Sequence, residues 1–249
     1  MPIAFVLRAH ERGHDRIVST GEGASYVAGH PESVIIRESS FNFHQYQSGR
    51  PGFGKMRVFG DERFSGAGCG YNMHPHHNFV ISAIVLEGEL THVNTVGNID
   101  QLRQGDYYVF SAGSGGKHAE LSISGADMHA IYLWFLPSEL YLPPSYHRAH
   151  FDLNGRRNRI EALVGEADGA LPIPQDVRIS RLISDVPGAH AYRPKSAGHG
   201  VYVFVLEGGV ACAGETLSRR DSIAFTGGEA VELNTTEDET DMLIIETVL

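Results

Sequence analysis

A chain of 249 residues, 42% of them apolar and 20% charged, can fill one large domain or two ordinary ones and reads as globular rather than disordered. Its formal net charge of −10 argues against a broad grip on nucleic-acid phosphates or an anionic membrane. No run approaches the roughly 18 apolar residues of a membrane span.

In chain order, the apolar stretch Ile3–Leu7 is too short for a signal-peptide core, and Arg8, His10, Glu11 and Arg12 follow at once. Cys69 and Cys212 stand apart with no C-x-x-C between them, as expected of reduced thiols in a cytoplasmic protein. Short strand-type runs ending in Gly or Asn fall at residues 55–59, 81–86, 107–110, 131–135, 201–206, 223–225 and 242–246. Prolines at 137–144 mark the end of a first unit, and Pro143 to Arg148 reads as a turn or a single helical turn. Residues 154–174, rich in Gly, Arg and Asp, read as the connection to a second unit.

An internal echo organises these runs. Leu102, Asp106, Phe110, Ser111 and Gly113 recur as Leu217, Asp221, Phe225, Thr226 and Gly228, displaced by 115 residues. Val85-Leu86-Glu87-Gly88 recurs as Val205-Leu206-Glu207-Gly208, displaced by 120 residues. Two matched segments in the same order imply two copies of one supersecondary plan. Frequent short strands with turn signals predict an all-β chain of two stacked antiparallel barrels, divided into residues 1–150 and 151–249.

The stretch Met73-His74-Pro75-His76-His77-Asn78 carries the chemistry. Side chains at i and i+2 of a strand share a face, so His74 and His76 project together into a barrel, while His77 points away. His118-Ala119-Glu120 repeats that spacing and adds an imidazole and a carboxylate. Three imidazoles and one carboxylate suit a divalent first-row metal with positions left for water or substrate. The second copy has only His199 before its strand, so a metal is expected in the first copy alone. Gly68, six residues before His74, and Gly105 and Gly113, before His118, approximate the two-part cupin signature. Ser111 stands in place of its proline. The usual acid after H-x-H is absent at Val80 and Ile81, and Glu120 supplies the carboxylate.

These motifs, with Asn78-Phe79, Gly97-Asn98, Gly115, Trp134, Leu136-Pro137 and Pro143 to Tyr146, resemble the pirin family and its bacterial quercetin-cleaving members. Arg12-Gly13, Ser40-Phe41 and Pro51 to Gly54 are similar to the family's opening segment. The resemblance covers most of the first 150 residues. It implies a bicupin, monomeric, with Fe(II) in the first barrel on His74, His76, His118 and Glu120; Ni, Mn, Co and Zn also suit that set. It implies either a quercetin 2,3-dioxygenase-like enzyme acting on a small aromatic with O2, or a metal-dependent regulatory module that binds a protein partner. In the enzyme reading Glu120 is the catalytic carboxylate, and Asn78, Val80 and Tyr108 face the substrate. Val80 and Tyr108 replace the family's usual Glu and Gln, so Val80→Glu is expected to raise turnover.

Overall fold

The two echoed segments fold as equivalent strands. Asp106–Ser111 pairs with Val80–Glu87, and Ser222–Thr226 pairs with His199–Glu207, each antiparallel. The backbone N–H of Gly105 donates to the Val85 carbonyl just as that of Arg220 donates to the Val205 carbonyl. In both turns an aspartate caps the chain three residues back: Asp106 accepts from the Arg103 N–H and Asp221 from the Ser218 N–H. This computed structural model describes residues 1–23 and 25–249.

Each half is a pair of antiparallel sheets, and among the described residues no ladder closes either pair into a full barrel. In the first half, a seven-stranded sheet faces a five-stranded one. The five-stranded sheet centres on Cys69–His76, Gly116–Ser122 and Glu89–Asn94. In the second half, a six-stranded sheet faces a four-stranded one in the same relative order. The N-terminal strand Ile3–Leu7 does not join the first half. It pairs with Ser222–Thr226, at the edge that Ser145–His150 occupies beside Asp106–Ser111. Ser145–His150 is therefore a strand, not the turn expected there. The ladder with Asp106–Ser111 supplies its backbone partners, and local composition does not show that. Among the described residues the one helical element is the 3₁₀ turn Ala9–Glu11.

The two large sheets pack face to face. Phe59, Tyr107, Ile131, Leu133 and Phe135 from the first half meet Tyr202, Phe204, Leu243 and Ile245 from the second in one apolar layer. Phe59 and Phe204 rings lie 4.5 Å apart, and the Tyr202 hydroxyl donates to Ser40 across the seam. A buried aromatic of this kind contributes about 1.5–3 kcal/mol by area alone, so this layer holds the halves together. A second cluster fills the first half under the histidines, and a third fills the second half.

Candidate metal centre

His74 and His76 leave one strand, Cys69–His76, and His118 leaves its neighbour, Gly116–Ser122, directly opposite His74. The three rings meet with centroids 4.6–4.9 Å apart. One ligand atom from each lies within 4.8 Å of the others. An extra residue around Asn72 and Met73 bulges the strand between Tyr71 and His74. The bulge turns the Asn72 carbonyl onto Nδ1 of His74 at 2.7 Å. A carbonyl only accepts, so Nδ1 carries the proton and Nε2 keeps its lone pair for a metal.

Burial lowers the pKa of all three imidazoles, that of His76 to about 4 with His74 adding to the effect. They stay neutral at pH 7, the ligating form. Nε2 of His76 and Nε2 of His118 are both buried and have no hydrogen-bond partner. Two orphaned nitrogens facing one point are costly unless a ligand ion satisfies them, so the residues fit a divalent metal.

Glu120 adjoins this triad at the His118 corner, with Oε2 3.8 Å from His118 Nε2. Its other oxygen accepts a short hydrogen bond from the Tyr108 hydroxyl. Burial raises the Glu120 pKa to about 8, against the lowering effect of that bond. Gly70 makes the close approach of the two strands feasible. Its φ is 148°, and a Cβ there would overlap the Glu120 carbonyl oxygen.

Tyr108 thus touches the ligand set, but its hydroxyl is taken up by Glu120. Asn78 and Val80 are placed elsewhere. Asn78 adopts φ 53°, and its side-chain oxygen accepts the Tyr141 N–H. That left-handed residue ends the alternation carried by His74 and His76, so Val80 points into the layer between the two large sheets. His77 is exposed beside Tyr141 and lies outside the cluster.

One residue was missed in the sequence. His92, wholly buried on Glu89–Asn94, places Nε2 3.1 Å from Nδ1 of His118. It stacks on Tyr146 at 5.0 Å and 8°. Its signal was an H-x-N alternation, His92 and Asn94 on one face of a strand. Trp134 stands edge-on to His76 at 4.8 Å and gathers Phe43 and Phe79 into an aromatic wall. A cavity of about 430 Å³ opens beside His74, lined by Tyr26, Asn72, Met73 and Pro75.

The second half has no counterpart. On its equivalent strands Tyr192 pairs with Val231 and His190 with Leu233, and Tyr192, Val231 and Leu233 are buried in an apolar cluster. Among the described residues, groups of three or more close His, Cys, Asp or Glu ligand atoms occur in the first half alone. His199 instead bonds Ser196 and faces Asp176.

Residues 24–135 match the pirin family model, and residues 165–247 match that of the quercetinase C-terminal cupin domain. A quercetin 2,3-dioxygenase of Escherichia coli is 29% identical over 94% of both chains. A putative quercetin 2,3-dioxygenase of Pasteurella multocida is 33% identical over 70% of this chain and 69% of its own. Among solved structures, YhhW of Escherichia coli superposes with a TM-score of 0.84 at 25% identity, covering 98% of this chain and 97% of its own. The same protein, described as a bacterial pirin, was also solved in complex with nickel(II). No helix among the described residues is long and apolar enough to cross a membrane. With both halves matched in order and the histidine cluster in the first, the chain belongs to the pirin family of bicupins.

Proposed function

We propose that this protein is a metal-dependent dioxygenase acting on a flat, vicinally oxygenated aromatic of the flavonol kind. His74, His76, His118 and Glu120 hold the metal, with Fe(II) the first choice and Ni(II) the second. The observation that carries the reading is the convergence of three neutral imidazoles, two with orphaned Nε2 atoms, beside an aromatic wall. A metal bound there supplies Lewis-acid and redox chemistry towards dioxygen and a phenol or enol oxygen. The relatives named quercetin 2,3-dioxygenase support the substrate class.

The chain's own residues do the rest. The Asn72 carbonyl and His92 orient the rings of His74 and His118. Tyr108 holds one oxygen of Glu120, leaving Oε2 to ligate or to accept a hydroxyl proton from substrate. Trp134 and Phe79 give a planar ligand an apolar face to lie against.

The test is flavonol bleaching with dioxygen uptake and carbon monoxide release, for the Fe(II)- and Ni(II)-loaded protein and for His76→Ala. Metal- and dioxygen-dependent bleaching that His76→Ala abolishes is expected. No dioxygen-dependent bleaching with either metal ends this reading and leaves the regulatory module.

A further inference from the structure

Away from the metal, a cavity of about 380 Å³ opens at the seam of the two halves. Its lining carries four guanidiniums, Arg12, Arg63, Arg219 and Arg220, against two carboxylates, Asp61 and Glu38. Both carboxylates are already engaged. Asp61 takes Arg220 at 3.0 Å, Arg12 at 3.4 Å and His129 at 2.5 Å, and Glu38 faces His14 at 2.6 Å. A third carboxylate, Glu207, pairs with Arg219 at 2.6 Å and with Arg220 at 3.3 Å, so Arg63 is the one of these four guanidiniums without a carboxylate partner among the described residues. Nε of Arg12 and Nε of Arg220 are buried without a partner, although both side chains are at least nine-tenths buried. A chain of net charge −10 thus gathers cationic donors at one concave point.

The backbone of Arg220 strengthens the case. Its φ is 69°, a left-handed conformation that side-chain-bearing residues rarely adopt. The equivalent residue of the first copy is Gly105, at φ 89° and with the same backbone hydrogen bond. The turn calls for glycine, and the second copy carries an arginine whose guanidinium reaches 159 residues back to Asp61. Strain retained against an available glycine points to a role for the side chain.

We propose that this seam is a binding site for a small multivalent oxyanion, a phosphate or a dicarboxylate, gripped by Arg63 and Arg12 from one half and Arg219 and Arg220 from the other. The guanidinium fork matches both chemistries, and the cavity lies at the small end of ligand sites. A bound dianion would clamp the halves across their polar edge, so occupancy stabilises the fold.

The test is titration calorimetry and thermal shift with inorganic phosphate and with succinate, against sodium chloride at matched ionic strength. Both metal-stripped and metal-loaded protein are used, which separates this seam from the metal centre. Arg63→Ala breaks no ion pair, whereas Arg220→Gly restores the residue the turn prefers but releases Asp61 and Glu207, so circular dichroism first confirms that each variant is folded. Saturable binding of at least one anion, independent of metal and weakened about tenfold or more in both variants, is expected; which anion binds tells phosphate from dicarboxylate. No saturable binding by wild type, binding that requires metal, or a smaller loss in either variant overturns the proposal.

Discussion

Nε2 of His92 sits 3.1 Å from Nδ1 of His118, with His92 wholly shielded from solvent. If Nε2 of His118 binds metal, its Nδ1 carries the proton and donates it to His92. His92 Nε2 is then the acceptor that holds His118 in the tautomer set by the metal. His92→Phe keeps the stacking against Tyr146 and Tyr108 but removes the acceptor. Metal affinity, read by chelator competition, should fall about 10- to 100-fold with the fold intact. Unchanged affinity would reduce His92 to packing.

Val80 is wholly buried in the layer between the large sheets. Val80→Glu then buries a carboxylate with no partner and should cost about 3 kcal/mol or more in urea unfolding rather than raise turnover. A stable, faster Val80→Glu enzyme would return this residue to the substrate cavity.

At Gly70, on the strand of His74 and His76, a Cβ would run into the Glu120 carbonyl oxygen of the neighbouring strand. Gly70→Ala should push them apart, lowering stability by about 1–3 kcal/mol and metal stoichiometry with it. Full metal loading in this variant would show that the approach is not needed.

Burial alone would raise the Asp61 pKa, but the His129 hydrogen bond and the Arg220 and Arg12 charges outweigh it and hold the carboxyl well below the usual range. A folded pKa below the unfolded one contributes stability that is complete above roughly pH 4 and is lost as pH falls through the folded value. Asp61→Asn should therefore flatten the acid limb of the stability curve below about pH 4. It should also lose about 3–5 kcal/mol at pH 7, because Arg12 and Arg220 are left buried together. An unchanged acid limb would place the linkage on other carboxylates.

The strand class, the repeat and the pairing of His74 with His76 were readable from local pattern, because side-chain alternation has a period of two residues and survives until the backbone departs from it. The departure at Asn78 was not readable. One left-handed residue reversed the facing of Val80, and φ is not written in the residue types. Ser145–His150 escaped notice for a similar reason: an edge strand takes its hydrogen bonds from a partner some 40 residues earlier in the chain.

Spacing and local pattern were enough for an all-β, internally repeated chain with a histidine cluster in its first half, and the resemblance of its motifs pointed to the pirin family, since each of those features lies within a few residues of sequence. Folding alone brought His92 against His118, 26 residues apart, and Arg220 against Asp61, 159 residues apart. Such pairs form where strands from different segments become neighbours, and their energy comes from shared burial and hydrogen bonding that no single segment contains.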